Sequence, residues 1–188
     1  MTQQATPAPS APAEGSSEPS KQRQFVNFAF FKLDPAFRRL DDHEKFQARS
    51  EFLKLFQAPR PGLICLTYST AGLRPDADFL LWRIAYSPDE FQKQTQAINK
   101  SRLGAYLQTP HSLVSMTKRS VYIDKLDPFH TPESRTHIIP GKRKYLFIYP
   151  FVKTRDWYLL PLEKRQEIMD AHIRVGNKYP SVKLNTTY

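Results

Sequence analysis

From Phe25 onward the chain alternates short aromatic-rich apolar runs with amphipathic stretches, and their order is what most limits the fold. Phe25–Lys32 (FVNFAFFK) alternates loosely, which favours a strand, and Asp34-Pro35 breaks it. Between Asp42 and Phe56 the spacing puts Phe46, Arg49, Phe52, Leu53 and Phe56 on one helical face. Pro59, Pro61 and Gly62 end that helix. Leu63–Thr70 and Phe79–Tyr86 read as the next two strands, joined by a loop carrying Gly72 and Pro75. Ser87-Pro88-Asp89-Glu90 starts a second helix, with a serine cap, proline in the first position and acids in the first turn. That helix is predicted to run to about Leu107 and to close at Pro110, and Leu113–Ile123 follows as a fourth strand. The order is β-α-β-β-α-β, the split βαβ pattern of a ferredoxin-like α+β domain.

A loop with Pro128, Pro132 and Pro140 leads to a second unit: strand Lys144–Phe151, helix Leu162–Lys178 and strand Val182–Tyr188. The expected organisation is a disordered tail over 1–24, a first ferredoxin-like half over 25–126, a linker loop over 127–142 and the start of an incomplete second ferredoxin-like half over 143–188. One βαβ alone leaves a parallel pair with an open edge, which further chain or another subunit must cover. Residues 1–24 hold four prolines and no aromatic residue, a composition that cannot offset its own ordering entropy. They lack the charged start and apolar stretch of a secretory signal, so a cytoplasmic location is expected. Lys21 and Arg23 balance Glu14 and Glu18, which leaves the whole net charge of +10 on the remainder.

Composition removes several classes. With 13% aromatic residues in 188, the chain is not disordered throughout. No run approaches the roughly 20 apolar residues of a membrane span. A single cysteine, Cys65, excludes an internal disulfide framework and a cysteine-only zinc site; among Leu63, Ile64 and Leu66 it reads as a small core residue. The positive charge admits nucleic acid as a partner, but the basic residues are spread over every element and no run of them interleaved with aromatics stands out, so none is expected. There is no zinc-finger spacing, glycine-rich phosphate loop or nucleophile elbow. His130, Arg135 and His137 share a proline-rich loop at irregular spacing that suits no metal geometry.

The second unit is the more informative. In its helix, Ile168, Met169, His172, Val175 and Gly176 share one face, which places His172 on an apolar stripe directed at the core. Two readings stand: a buried, hydrogen-bonded structural histidine, or one axial ligand to haem iron in a dry, flat-walled pocket. Gly176, one turn on, would let a flat ligand approach the backbone. Ahead of that helix, KYLFIYPFVKTRDWYLLP carries Tyr149, Lys153, Arg155 and Trp157. A tyrosine and a lysine at a strand end can cradle a carboxylate, and a phenol beside a redox centre can lose one electron. The plainer reading makes Lys153 and Arg155 a solvated rim.

The block from Lys144 to Tyr188, with TYSTAGLRPDADFLLWRIAYS and SMTKRSVYIDK, resembles the chlorite dismutase-like haem proteins, and among them the coproheme decarboxylases. The resemblance implies two ferredoxin-like halves whose sheets close into a barrel, assembled as a homopentamer. It implies His172 as the axial iron ligand and Tyr149, in the Tyr-Pro-x-x-Lys motif, as the catalytic tyrosine that forms a radical. Arg135, Tyr149 and Lys153 would bind propionates, and Trp157, Met169 and Leu184 would line the haem pocket. The implied activity is hydrogen peroxide-dependent oxidative decarboxylation of iron coproporphyrin III (coproheme) to haem b. Burying four propionates demands cationic and hydroxyl partners, which the basic balance supplies. The alternatives are a haem-binding relative without decarboxylase activity, a peroxidase or chlorite-degrading relative, and a basic nucleic-acid-binding module on the same fold.

Two departures bear on the choice. Chlorite-degrading members carry a distal arginine in the register occupied here by Leu184, with Lys183 and Asn185 beside it; no arginine lies in Val182–Tyr188, and Leu184 cannot supply the cation that would stabilise a leaving hypochlorite. Family members also continue past the position of Tyr188, with strands and a helix that complete the pocket and supply a carboxylate to the proximal histidine.

Overall fold

The computed structural model describes residues 22–118, 122, 137–141 and 144–188. Its centre is a four-stranded antiparallel sheet built from β1 (Phe25–Leu33), β2 (Leu63–Ser69), β3 (Phe79–Ala85) and β4 (Leu107–Met116), in the order β2-β3-β1-β4. The helices are α1 (Pro35–Arg38), α2 (Asp42–Gln57), α3 (Asp89–Lys100), α4 (Arg155–Leu159) and α5 (Leu162–Gly176). Through β4 this is the ferredoxin-like split βαβ expected from the sequence.

Local chemistry explains the boundaries. Asp34 ends β1 and caps α1, its carboxylate accepting the Ala36 N–H at 2.7 Å. Asp41 and Glu44 form a reciprocal capping box at the start of α2, with Glu44 N–H to Asp41 Oδ1 at 2.7 Å. Pro61-Gly62 turns the chain into β2; Gly62 sits at φ +86° and the Leu63 N–H reaches the Arg60 carbonyl at 3.1 Å, the type II arrangement that favours glycine. α3 begins at Asp89, whose N–H is accepted by Ser87 Oγ at 3.2 Å.

That helix stops at Lys100, short of the expected Leu107. Ser101 Oγ donates to the Ile98 carbonyl, and Gly104 is packed so closely on the Ile98 backbone that a Cβ there would collide with it. A 3₁₀ turn at Gly104–Tyr106 then delivers the chain into β4, six residues before the predicted start at Leu113. Pro110, expected to close the helix, instead lies inside β4. It is tolerated because β4 is an edge strand and its ladder with β1 is irregular between the Phe30 and Lys32 pairings. β4 ends at Met116, and Ile123 lies outside the described residues.

Both faces of the sheet are covered. On one, Ala29, Phe31 and Leu81 pack with Ile98 of α3 and Phe52, Leu55 and Phe56 of α2. The predicted α2 face is rotated: Phe46 and Leu53 are exposed, and Ala48 is the buried residue, because the line through Ala48, Phe52 and Leu55 meets the sheet. On the other face Val26, Phe30, Leu80, Trp82 and Ile84 pack under Ile138, Leu146 and Ile148. This double burial is why β1 and β3 read as nearly continuous apolar runs.

Two acidic residues fasten the β2–β3 loop. Asp78 accepts the Leu33 N–H at 2.8 Å and the Lys32 ammonium at 3.1 Å, and these bonds, the backbone one first, hold its carboxyl below the usual range. Asp76 is held lower still by a forked bond from Arg74 (2.9 and 2.6 Å) and by His111 at 2.6 Å. A depressed folded pKa gives stability that is present above the unfolded carboxyl's pKa and is lost as pH falls through the folded value. Asp78→Asn should therefore lower stability by about 1 kcal/mol at neutral pH. In urea melts at a series of pH values, that deficit should shrink on acidification.

The second unit departs from expectation. Neither Lys144–Phe151 nor Val182–Tyr188 forms a strand, so the expected parallel pair is absent among the described residues. Instead Tyr188 exchanges two backbone hydrogen bonds with Met116, at 2.8 and 2.9 Å, and Thr187 accepts from Ser115 Oγ at 2.8 Å. A strand pair needs a neighbour's free edge, and the one used here is that of β4. Gln24, placed by composition in the tail, is 2% exposed, and its side chain bonds the Ile138 backbone through both Oε1 and Nε2.

Candidate ligand site

The chain from Tyr145 to Phe151 alternates by side. Leu146 and Ile148 rest on the sheet, while Tyr145, Phe147, Tyr149 and Phe151 are all exposed, a row of four aromatics turned the other way. The Tyr149 and Phe151 rings stack at 6.3 Å and 25°, and the Tyr149 hydroxyl has no hydrogen bond among the described residues.

Lys153 follows on the same segment. Its Nζ lies 4.4 Å from the centroid of Trp157, on α4, and 5.3 Å from that of Tyr122. The two rings meet nearly edge to face at 6.4 Å. Flat rings with negative faces hold an ammonium ion without neutralising it, and Lys153 has no carboxylate partner among the described residues. α5 closes the cluster: Arg165 Nη1 donates to the Tyr122 hydroxyl at 3.4 Å, and Gln166 Nε2 donates to the Tyr122 carbonyl at 2.9 Å. The Arg165 Nε–H is buried and has no acceptor.

His172 is not in the core. It is exposed, α5 has no buried residue, and the imidazole makes no hydrogen bond among the described residues. The apolar stripe of α5 is left largely open among the described residues: Ile168 and Val175 are exposed and Met169 is half-buried. Leu184 is exposed and touches the same helix, its Cδ1 lying 3.9 Å from where a Cβ on Gly176 would sit. Arg135 and His130 lie outside the described residues. His137 packs on Tyr86, whose hydroxyl is 3.1 Å from Nδ1.

Cys65 is half-buried against Gln94, with Sγ 3.8 Å from Oε1, and burial pushes its thiol pKa up, which suits an inert packing residue. No group of three or more His, Cys, Asp or Glu residues able to hold a metal occurs among the described residues. Two clefts, of about 530 and 340 Å³, flank α2 and include none of the residues singled out above. No helix among the described residues is long and apolar enough to cross a membrane.

Of the predicted site residues, the structure brings Lys153 and Trp157 together, and sets Leu184 beside the His172 helix. Tyr122, Arg165 and Gln166 were not singled out: a tyrosine in SVYIDK and charges in EKRQEIM look like any strand and any solvated helix.

The exposed His172 imidazole on α5, the exposed Tyr149 phenol and the Lys153 ammonium between two rings are thus all carried by an α+β protein with a ferredoxin-like sheet. Residues 45–188 match the chlorite dismutase family, and the chain belongs to it. Among solved structures, a doubly substituted chlorite dismutase from Candidatus Nitrospira defluvii superposes with a TM-score of 0.72 at 23% identity over 83% of this chain. A singly substituted form gives 0.72 at 22% identity over 85%, and the same enzyme in complex with imidazole gives 0.70 at 23% over 83%. At this identity the likeness establishes the fold. The chain spans 66% of the first of those proteins and 67% of the second.

Proposed function

We propose that this chain binds an iron porphyrin through His172 and decarboxylates iron coproporphyrin III with hydrogen peroxide. The observation that carries the reading is the Tyr149–Lys153 pair: an exposed phenol without a hydrogen-bond partner, four residues before an ammonium ion with no carboxylate beside it, both among the described residues. The residues suit such a ligand, since the donor set offers one free imidazole, an aromatic row and cations for carboxylates. Arg135 would add a further cation to the propionates, and Trp157, Met169 and Leu184 would line the pocket.

Bound iron would supply the oxidising chemistry with peroxide. Lys153 would hold the propionate by charge. Tyr149 would give up its phenolic hydrogen and then take one from the propionate β-carbon. Each turnover would convert one propionate and one peroxide into a vinyl group, carbon dioxide and two waters. Leu184 offers no distal cation, which supports this chemistry over chlorite degradation. We also infer assembly as a homo-oligomer, five copies by family resemblance. Supporting it, fourteen of the twenty-two exposed large apolar side chains among the described residues lie between Tyr145 and Tyr188, the kind of apolar exposure that a partner subunit would cover.

Tyr149→Phe should bind iron coproporphyrin III with native affinity yet release no vinyl product on peroxide addition, as read by mass analysis of the porphyrin. Normal turnover in that variant would remove Tyr149 from its role. A native chain that binds the porphyrin but forms no vinyl group would be a haem-binding relative instead.

A further inference from the structure

We propose that Arg165 is the second cation of the Lys153 site and receives a carboxylate of the bound porphyrin, making it a specificity-determining residue of the reaction proposed above, on which this assignment rests. Three observations converge on it. The Arg165 Nε–H is buried without an acceptor, and a charged donor removed from water is retained at a cost unless something accepts from it. The one side-chain hydrogen bond Arg165 makes among the described residues is the 3.4 Å contact to the Tyr122 hydroxyl, on the ring that also faces the Lys153 ammonium. The nearby acids of α5 are engaged elsewhere, Asp170 by Gln166 at 2.6 Å and Glu167 by Lys164 at 2.7 Å. Two cations thus share one aromatic group, with no anion beside them among the described residues.

The helix geometry points the same way. Arg165 precedes His172 by seven residues, almost two full turns, so both stand on one face of α5. Their separation along the axis is about 10 Å, comparable to the reach from the centre of a porphyrin to the end of a propionate. A macrocycle held at its iron by His172 and lying along α5 would present a carboxylate where Arg165 and Lys153 meet. A guanidinium fork there would bind it in two-point fashion, which an ammonium alone cannot do.

The test is a Soret titration with two probes, iron coproporphyrin III and its tetramethyl ester, which carries no free carboxylate. R165Q should raise Kd for the acid about tenfold and leave Kd for the ester within about twofold. R165K, which keeps the charge and serves as the folding control, should recover only part of the loss, because an ammonium lacks the second point of attachment. K153Q should behave like R165Q, and the double variant should lose less than the product of the two. Unchanged affinity for the acid in R165Q, or equal losses for acid and ester, would overturn the assignment while leaving the haem reading intact. A native chain that gives no Soret shift with either probe would overturn both.

Discussion

If the proposed function holds, replacing His172 by alanine is expected to abolish the Soret band that iron coproporphyrin III would give with the native chain, weakening iron-linked binding by at least about a hundredfold. Added imidazole should restore the band in part, by filling the space the side chain leaves. The same substitution should leave the melting temperature unchanged, because His172 is exposed and bonds to nothing among the described residues. These two readouts separate a ligand from a structural histidine: a lowered melting temperature with intact binding would reverse the assignment. Exposure is the reason the prediction is sharp. A buried imidazole would have to give up a hydrogen bond before reaching iron, and this one has none to surrender.

The largest loss of stability is expected at Arg83. It is 3% exposed and stands on the helix-covered face of β3, where it bonds Asn27 Oδ1 through Nε and Nη2 at 2.9 and 2.6 Å. Through Nη1 it reaches the Phe91 carbonyl at 3.2 Å and Thr95 Oγ1 at 2.9 Å, so one guanidinium joins the sheet to α3. Burial lowers its pKa, and all of these partners are neutral. Arg83→Ala would leave buried acceptors unmet and open a cavity, at a combined cost of about 3 to 4 kcal/mol. Urea denaturation should show the midpoint falling with the slope unchanged. Replacing Arg83 and Asn27 together by leucine should cost less than Arg83→Ala, since the central donor and acceptor then leave as a pair. An additive loss would mean that the network contributes little beyond packing.

Much of the first half is readable because its signals are local. Asp34-Pro35 and Pro59, Pro61 and Gly62 each mark a boundary within a few residues, and the structure places a boundary at each. Pro110 was misread because proline forbids a helix interior and a central strand alike, and only the sheet order reveals that β4 is an edge. The α2 face was misjudged because Phe46 and Leu53 are as apolar as Phe52; which line of side chains meets the sheet depends on how the helix is docked. Arg83 sits unmarked in FLLWRIA, since periodicity says that a position is buried and nothing about what would satisfy a cation there.

At the candidate site Tyr149, Lys153 and Trp157 stand close together in one segment, and the structure brings Lys153 and Trp157 into contact while Tyr149 stacks on Phe151. Tyr122 and Arg165 were not legible in the sequence, because they come from distant parts of the chain and meet only in three dimensions. His172 was placed on the correct stripe and on the wrong side of the solvent boundary. An amphipathic pattern records an apolar face, but the partner that covers it has to be found elsewhere.

The pair of hydrogen bonds from Gln24 to the Ile138 backbone has a thermodynamic consequence. It ties the segment over the far face to the residue that precedes β1, while the helices pack on the opposite face. Breaking that tie would strand the Gln24 amide and both backbone groups of Ile138 away from water at once, so the contact is expected to open as a single cooperative step.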